Sequence, residues 1–188
     1  MHNSPKLVIL DRDGVINHDS DQFIKSPAEW RPLPGAIEAI ARLHQNGFRV
    51  VVATNQSGIG RGLFDMTTLN AINDKMMEMV FRQGGRIDAI FFCPCTAEQH
   101  CHCRKPDTGM FEDIAARFDV TLEGVPAIGD SLRDLEAAAK VGCQPILVLT
   151  GKGQKTQEKE TLPTGTRIFA DLATTVKALI ADSAKVAA

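Results

Sequence analysis

The amino-acid sequence predicts an α/β fold in which a doubly wound, mostly parallel sheet carries helices on both faces. Short apolar runs alternate along the whole chain with segments whose apolar residues have helical spacing, which is the pattern of consecutive βαβ units. A chain of 188 residues is long enough for one ordinary domain with its own core and short for two. We therefore expect a single domain over residues 1–188.

The first half of the chain contains three predicted strands and two predicted helices. The strands are the apolar runs at residues 6–10, 48–53 and 87–92. The first helix ends before Gly47, a residue type that often terminates helices, and the second covers residues 67–82. Both helices are predicted from apolar residues at helical spacing, namely Ala36, Ile37, Ile40 and Leu43 in the first and Leu69, Ile72, Met76 and Val80 in the second.

The second half of the chain repeats this alternation. Helices are predicted at residues 109–118, at residues 132–140 and after Asp171, and strands at residues 125–128, 145–149 and 167–170. Residues 150–165 are polar and are predicted to form a mobile loop. Within that loop, GKGQKT at residues 151–156 lacks the GxxxxGK(S/T) spacing of a phosphate-binding loop and leads into no apolar helix, so we assign it no function.

Charge and hydropathy exclude two classes of partner. The formal net charge of −2 gives no broad positive field for holding a polyanion, so we expect no nucleic-acid partner. No stretch approaches the roughly 18 to 20 apolar residues of a membrane helix, so we expect no membrane partner. The first ten residues, MHNSPKLVIL, have neither a basic leader nor a small-residue cleavage site. We therefore expect the protein to be cytoplasmic.

Polar residues follow three of the predicted strands at the point where each strand ends. Asp11 and Asp13 follow the first strand, Thr54 and Asn55 the second, and Asp130 the strand at residues 125–128. In an open α/β sheet, ligands bind beyond the carboxyl ends of the strands. Two carboxylates two residues apart, with a third alongside, form an oxygen site that suits Mg²⁺. Each aspartate alone could be a turn residue or a helix cap, but three acidic strand ends in one chain favour a metal site.

The motifs at these strand ends resemble those of the haloacid dehalogenase-like (HAD) phosphatases. They are Asp-x-Asp-Gly at residues 11–14, Thr-Asn at 54–55, a lysine at 105 and Gly-Asp-x-x-x-Asp at 129–134, and they occur in the family's order over most of the chain. Cap domains in that family are inserted after the first motif or before the third. Here predicted helices and strands fill those intervals, so the resemblance implies a capless, HAD-like Rossmannoid fold whose loops select the substrate.

The resemblance also implies a role for each matching residue. Asp11 would be the nucleophile that forms an aspartyl-phosphate, and Asp13 the general acid and base. Mg²⁺ would bind Asp11, the Asp13 carbonyl and Asp130, while Lys105 would offset the phosphate charge. Lys105 could instead be a solvated surface lysine, and Asp134 a first-turn charge favoured by the helix dipole. The implied set of substrate- or phosphate-binding residues is Asp11, Arg12, Asp13, Asp19, Ser20, Thr54, Asn55, Gln56, Ser57, Arg61, Arg104 and Lys105.

The segment before Lys105 carries four of the five cysteines, namely Cys93, Cys95, Cys101 and Cys103. In a reducing cytoplasm such a cluster is more often a metal site than a pair of disulfides. Four thiolates suit a closed tetrahedral zinc site, whose role would be structural because no position is open to water. Two disulfides or unused thiols are the alternatives, and His100 or His102 could replace one cysteine. Bound zinc would stiffen the loop at about residues 93–103 that leads into Arg104. Cys143 is predicted to be a small buried apolar residue.

A capless phosphatase with a zinc loop before its lysine resembles a narrower group, the D-glycero-D-manno-heptose-1,7-bisphosphate 7-phosphatases, which act in the cytoplasm on a heptose precursor of lipopolysaccharide. The stretches DRDGVIN, TNQSGIGRG, CRKPDTGMF and GDSLRDLEAA carry this resemblance. Relatives in this group carry His at the position of Cys95, an exchange that zinc tolerates. The resemblance implies a small-molecule sugar bisphosphate as the partner, Mg²⁺ and structural Zn²⁺ as cofactors, and a monomer.

Two further hypotheses compete with this one. Histidinol-phosphate phosphatases have a similar zinc loop and are the alternative enzyme class. A zinc-stapled binding module without activity is the alternative outside enzymes, although retention of both Asp11 and Asp13, which repel each other, argues against it. Substrate selection is predicted for residues 17–20 and 57–62, where Arg61 would either reach a distal phosphate or remain a solvated loop residue.

Overall fold

The structure is a computed structural model that describes residues 6–186. Its six strands pair in parallel in the order β3-β2-β1-β4-β5-β6. The predicted fold class, a doubly wound parallel sheet, is confirmed. The strands are β1 (Lys6–Leu10), β2 (Phe48–Asn55), β3 (Ala89–Cys93), β4 (Pro126–Gly129), β5 (Gln144–Val148) and β6 (Arg167–Phe169).

Helices occupy the connections between the strands. Two of them are short: α2 is a single turn and α6 has seven residues. A three-residue 3₁₀ helix, Ala97–Gln99, lies between β3 and the next α-helix. The α-helices are α1 (Ala36–Gln45), α2 (Ser57–Gly60), α3 (Met66–Arg82), α4 (Gly109–Phe118), α5 (Leu132–Lys140), α6 (Gly153–Lys159) and α7 (Leu172–Val186).

The two faces of the sheet bury separate apolar clusters. Along β1, Val8 and Leu10 pack in the cluster that also contains residues of α1, α3 and α7. Leu7 and Ile9 pack on the opposite face, with residues of α4 and α5. Because helices cover both faces, β1 is apolar at consecutive positions rather than at alternate ones. Trp30, in the connection from β1 to α1, is fully buried in the first cluster and anchors that long connection.

The connections explain how the carboxyl edge of the sheet is bordered. The connection from β1 to β2 holds α1 alone, the one from β2 to β3 holds α2 and α3, and the one from β3 to β4 holds the 3₁₀ helix and α4. Within residues 6–186 these connections add no second sheet. Loops therefore border this edge, as expected for a capless member. No helix in that range combines the length and the apolar character that crossing a membrane requires.

One predicted loop contains a helix. Residues 150–165 were expected to be mobile because they are polar, but α6 lies within them. The backbone N–H of Lys152 donates to Asp130 Oδ2 at 2.8 Å, and the Thr156 hydroxyl donates to the Asp130 carbonyl at 2.9 Å. These contacts with a distant strand end stabilise a short polar helix that its own sequence does not predict.

Candidate active site

The carboxyl ends of three neighbouring strands form one pocket. β1 lies between β2 and β4, so Asp11, Thr54 and Asp130 are brought to the same edge, at the point where the strand order reverses. A pocket of about 220 Å³ opens there. Its lining residues are Asp11, Asp13, Asp19, Ser20, Asp21, Phe23, Ile24, Thr54, Asn55, Gln56, Ser57, Arg104, Arg133 and Lys152.

Lys105 lies beneath this pocket, where it contacts two carboxylates. Its side chain is 2% exposed, so it is not a solvated surface lysine. Nζ lies 3.0 Å from Asp11 Oδ1 and 2.7 Å from Asp134 Oδ1, and it donates to the carbonyl of Ala53 at 2.8 Å. Burial by itself would lower the pKa of Lys105, but the two carboxylates outweigh burial and raise this pKa above its usual value. Lys105 is therefore a permanent cation next to Asp11.

Asn55 positions Lys105 through the backbone. Its amide Nδ2 donates to the Lys105 carbonyl at 3.0 Å, and its Oδ1 accepts from the Lys105 N–H at 3.1 Å. The sequence predicted Asn55 as a ligand of the phosphoryl oxygens. The structure instead places both ends of its amide on the backbone of the lysine, although the side chain still lines the pocket. The two-point contact fixes where the lysine side chain starts.

Asp13 is held by three side chains. Arg12 is fully buried and donates from Nε and Nη2 to the Asp13 carboxylate at 3.1 to 3.2 Å. Asn17 donates to Oδ1 at 2.9 Å and Gln56 to Oδ2 at 2.8 Å. Burial would raise the pKa of Asp13, but Arg12 and the hydrogen bonds outweigh it and hold this pKa below its usual value. The side chains of Arg12 and Gln56, predicted as phosphate ligands, thus bind Asp13.

Three buried carboxylates meet next to the pocket, which Asp11 lines. Oxygen atoms of Asp11, Asp130 and Asp134 lie within 4.8 Å of one another. Burial and the other two carboxylates raise the pKa of Asp130 to about 8. Burial raises the pKa of Asp11 to about 6, although Lys105 opposes the rise. Such a cluster repels itself, so it favours a cation, and its hard oxygen donors suit Mg²⁺.

The members of this carboxylate cluster differ in what else they contact. Asp134 is a capping residue of α5: its Oδ2 accepts from the Ser131 N–H at 3.1 Å and from the Ser131 hydroxyl at 2.5 Å. Its Oδ1 pairs with Lys105. Asp134 therefore supports the site through its neighbours, and Asp11 and Asp130 remain the carboxylates best able to hold a metal ion. The Asp13 carboxylate is not one of the three in the cluster.

Two glycines shape the space around Asp130. A Cβ atom on Gly14 would lie 2.0 Å from Asp130 Oδ2, and one on Gly151 would lie 2.2 Å from the same oxygen. Both glycines have positive φ, 85° and 55° respectively. The Thr150 hydroxyl donates to the Gly14 carbonyl at 2.7 Å and links the two turns. The Asp130 carboxylate thus lies against bare backbone that only glycine leaves open.

Three cationic side chains line the pocket: Arg104, Arg133 and Lys152. Sequence reasoning identified Arg104 but missed the other two. Arg133 lies in the first turn of α5, where a cation is unfavourable because of the helix dipole. An arginine at such a position could have indicated from the sequence that the side chain serves the site. Lys152 belongs to the GKGQKT stretch that was assigned no function. Its Nζ lies 3.0 Å from Asp19 Oδ2, so the predicted loop residue Asp19 is tied to the start of α6.

Arg61 does not line this pocket. Its Nη2 lies 3.9 Å from Glu98 Oε2, and its side chain is 44% exposed. Two other residues that were predicted to bind the substrate, Ser20 and Ser57, do line the pocket. Of the two interpretations of Arg61, this geometry favours the solvated loop residue over the ligand of a distal phosphate.

The cysteine loop brings its sulfur atoms together in two pairs. Cys95 and Cys101 form a disulfide with an S–S distance of 2.07 Å, and the sulfur atoms of Cys93 and Cys103 lie 2.6 Å apart. The sulfur atoms of Cys93, Cys95 and Cys103 all lie within 4.8 Å of one another. The disulfide differs from the predicted set of four free thiolates, but the convergence of the sulfur atoms agrees with it.

The residues around the cysteine loop connect it to the pocket. Arg104 Nη1 donates to the Cys95 carbonyl at 3.0 Å, so the conformation of the loop helps to set the position of this pocket-lining arginine. His102 pairs with Glu112 at 2.9 Å, and its side chain is 67% exposed. His100 is exposed as well. Cys143 is buried, as predicted.

Comparison with known proteins decides the family. Residues 6–131 match the family model described as polynucleotide kinase 3 phosphatase, and residues 102–175 match the model of HAD-like hydrolases. The D-glycero-beta-D-manno-heptose-1,7-bisphosphate 7-phosphatase of Bordetella bronchiseptica is 58% identical over 178 residues, which cover 95% of this chain and 99% of that one. The chain belongs to the family of these HAD-like heptose bisphosphate phosphatases.

A second relative and a solved structure support this assignment. The Pseudomonas aeruginosa relative is 52% identical over 94% of this chain and 99% of its own length. The crystal structure of the D,D-heptose 1,7-bisphosphate phosphatase of B. bronchiseptica, complexed with magnesium and phosphate, has a TM-score of 0.93 at 59% identity and covers 94% of this chain and 99% of that chain. The chain is therefore a phosphatase, and the fold around its acidic pocket is that of a magnesium-binding relative.

Proposed function

We propose that the protein removes the 7-phosphate of D-glycero-D-manno-heptose 1,7-bisphosphate. The observation that carries the proposal is the pocket itself, in which Asp11 lies beside Lys105 and a cluster of buried carboxylates. Relatives that are more than half identical over nearly their whole length carry this activity in their names. We also propose that the protein acts as a monomer.

Hydrolysis proceeds in two steps at Asp11. In the first, a carboxylate oxygen of Asp11 attacks phosphorus, the bond from phosphorus to the sugar oxygen breaks, and Asp13 gives its proton to the departing oxygen. In the second, Asp13 takes a proton from water, the water oxygen attacks phosphorus, and the bond to Asp11 breaks to release inorganic phosphate. The contacts with Arg12, Asn17 and Gln56 lower the pKa of Asp13 and favour the ionised form that the second step requires, so the first step draws on the minor, protonated form of Asp13.

Charge balance sets the roles of Lys105 and Asp130. A phosphate dianion cannot approach Asp11 and Asp130 without cations that offset their charge. Lys105 supplies one at 3.0 Å from Asp11. Asp11 and Asp130, with the Asp13 carbonyl, would hold Mg²⁺, which when bound neutralises charge on the phosphate oxygens. Thr54 lines the pocket and is the remaining predicted ligand of the phosphoryl group.

Other lining residues of the pocket suit the anomeric phosphate and the hydroxyl groups of a sugar bisphosphate. Arg104, Arg133 and Lys152 line one pocket. Burial and then the repulsion from the Arg133 charge lower the pKa of Arg104, whereas nearby carboxylates outweigh burial and raise the pKa values of Arg133 and Lys152. An anion between the cations would relieve this repulsion, so we assign them the anomeric phosphate. Asp19 and Ser20 line the same pocket, and we assign them the sugar hydroxyls. A primary phosphate on an exocyclic carbon would then extend towards Asp11.

A substrate panel tests the function. Phosphate release from heptose 1,7-bisphosphate, histidinol phosphate and fructose 1,6-bisphosphate should show the highest kcat/KM for the heptose. Better turnover of histidinol phosphate would transfer the assignment to that class. The Asp11→Asn variant should fold normally and lose at least about 99% of turnover, because an amide is a poor nucleophile. Its matched control is Asp74→Asn, on the surface helix α3.

We also propose a structural zinc ion bound by Cys93, Cys95, Cys101 and Cys103. Zinc binding requires that Cys95 and Cys101 be reduced, which agrees with a cytoplasmic location. Supporting this, three of the four sulfur atoms, those of Cys93, Cys95 and Cys103, lie within 4.8 Å of one another. Protein purified under reducing conditions should contain about one zinc per chain. Cys95→His should keep that zinc, Cys95→Ala should lose it, and Cys143→Ala, a buried cysteine elsewhere, should leave it unchanged.

A further inference from the structure

Phe23 is a large aromatic residue that the two cores do not explain. It lies in the connection from β1 to α1 and is half-buried. Among the described residues, neither apolar cluster includes it, although its neighbour Ile24 is buried in the first one. Its side chain instead lines the pocket that contains Asp11. The reason for a phenylalanine at this position is therefore to be sought in the pocket.

The backbone of Phe23 is strained. Its φ angle is 64°, in the left-handed region that glycine and asparagine tolerate and that bulky residues rarely adopt. The Phe23 N–H donates to the Ser20 carbonyl at 3.0 Å, so a tight turn presents the ring. A glycine would fit this turn without strain. A strained aromatic residue beside an active site indicates that the side chain serves function rather than stability.

The segment that follows Phe23 is held by the core. Ile24 is only 7% exposed, and Trp30 is fully buried. Lys75, on α3, donates to the carbonyls of Pro27 and Trp30 at 2.7 and 2.8 Å. The segment after Phe23 is thereby fixed to the core. A ring held in this way is organised before substrate arrives and costs little entropy on binding.

The surroundings of Phe23 are those of a sugar site. Phe23 is the one aromatic side chain among the lining residues described for the pocket. A second groove, of about 480 Å³, adjoins the pocket and shares Asp19, Ser20, Phe23 and Ile24 with it. A sugar ring has polar edges and a face of C–H groups, which packs on the negative face of an aromatic ring. The pocket offers both partners, a polar rim and one aromatic face.

We propose that Phe23 is the platform on which the sugar ring of the substrate stacks, and that it thereby determines selectivity for ring-containing phosphates in place of a cap domain. This inference rests on the proposed function, since it presupposes a sugar phosphate as substrate. The contact is the same before and during the reaction, so it contributes to KM rather than to kcat.

The test compares heptose 1,7-bisphosphate with acetyl phosphate, which has no ring. Phe23→Ala should lower the ratio of the two kcat/KM values by about tenfold, chiefly through a higher KM for the heptose. Phe23→Trp should keep the wild-type ratio, whereas Phe23→Leu, similar in bulk but without a π face, should lose part of it. Phe81→Ala is the control, because Phe81 is 77% exposed on the remote helix α3. An unchanged ratio in Phe23→Ala or Phe23→Leu overturns the proposal.

A further variant separates stacking from backbone geometry. Phe23→Gly removes the ring and also relieves the strain of the positive φ. A loss of selectivity that came only from a distorted turn in Phe23→Ala would therefore not occur in Phe23→Gly. We expect it to lose selectivity as Phe23→Ala does, and a wild-type ratio in this variant overturns the proposal. The wild-type substrate panel decides the proposed function separately. Should another ring-containing phosphate be preferred there, the same variants are measured with that compound.

Discussion

Asn55 is the last residue of β2 and Gln56 follows it, and both position other residues of the site. Asn55 holds the backbone of Lys105, and Gln56 donates to Asp13 and to the Thr54 hydroxyl. Each of these polar residues therefore fixes the position of a group that carries charge. In an active site where a displacement of about 1 Å can cost about 100-fold in rate, such contacts are part of the catalytic apparatus.

We predict that Asn55→Ala lowers kcat about 100-fold with a smaller change in KM, because Lys105 loses both backbone contacts. Steady-state kinetics with the preferred substrate measures this. Asn46→Ala is the matched control, since Asn46 also donates to a backbone carbonyl, that of Arg42, but at the exposed end of α1. A higher KM with unchanged kcat would instead indicate that Asn55 binds the phosphate of the bound substrate directly.

The raised pKa of Asp130 predicts how pH affects the metal-free protein. Burial and the neighbouring carboxylates move this pKa from 3.8 to about 8, so between these values the folded protein holds a proton that the unfolded chain releases. The stability of the metal-free protein should therefore fall as pH rises through this range. Mg²⁺ competes with the same proton, so it should raise Tm more at pH 8 than at pH 6. Thermal unfolding with and without Mg²⁺ tests this, and equal shifts at both pH values would refute it.

At the level of elements, the turn before α6 completes the acidic site. Gly151 lies against Asp130 and Gly14, and the following N–H of Lys152 donates to Asp130. The segment from β5 to α6 therefore acts as a backbone wall for the metal-binding carboxylate. Its contribution comes from the absence of a side chain at one position and from one oriented N–H group.

Gly151→Ala should lower Mg²⁺ affinity and activity by at least about tenfold, because its Cβ would lie 2.2 Å from Asp130 Oδ2 and 2.6 Å from Gly14 Cα. Gly165→Ala is the matched control: its φ is 81°, but a Cβ there meets nothing within 4 Å. This control should lose about 1 kcal/mol of stability from backbone strain and keep full activity. The Mg²⁺ dependence of phosphate release, measured for both variants, shows whether activity is lost through the contact of the new Cβ with Asp130 or through the strain of a positive φ. Equal loss of activity in both would contradict the proposed wall.

The sequence predicted the six strands and the larger helices because their apolar periodicity reports burial. It did not predict α2 and α6, which are short and polar and depend on contacts with distant residues. The motif residues Asp11, Lys105 and Asp130 were predicted to meet, and they do. The contacts of Asn55 and Arg12 could not be predicted. An asparagine or arginine can bind either phosphate or a neighbouring residue, and the sequence does not distinguish these two roles. Phe23 gave no sequence signal at all, because its backbone angle is set by tertiary packing.

At the scale of the whole molecule, two chemically different clusters of potential metal ligands lie near one pocket. Asp11 and Asp130 follow β1 and β4, and the cysteine cluster begins at the last residue of β3, on the other side of β2. Oxygen ligands exchange their ion readily, whereas thiolates bind zinc tightly and couple it to the folding of the loop. The two ions should therefore respond differently to the same treatment.

We predict that brief treatment with a chelator abolishes activity, that added Mg²⁺ restores it, and that elemental analysis still finds about one zinc per chain. Prolonged chelation under reducing conditions should remove zinc, and Mg²⁺ alone should then fail to restore full activity, because Arg104 depends on the loop for its position. Full recovery with Mg²⁺ after zinc removal would show that the loop keeps its shape without the metal.

The position of β1 in the middle of the sheet determines when during protein synthesis the site can form. Asp11 is synthesised 94 residues before Lys105, its counter-charge, and Gly14 is synthesised 136 residues before the Thr150 hydroxyl that binds its carbonyl. A nascent chain therefore carries the nucleophile long before it carries the groups that neutralise and enclose it. Phosphatase activity should appear only after α6 has left the ribosome, so incomplete chains cannot hydrolyse the phosphate esters that surround them.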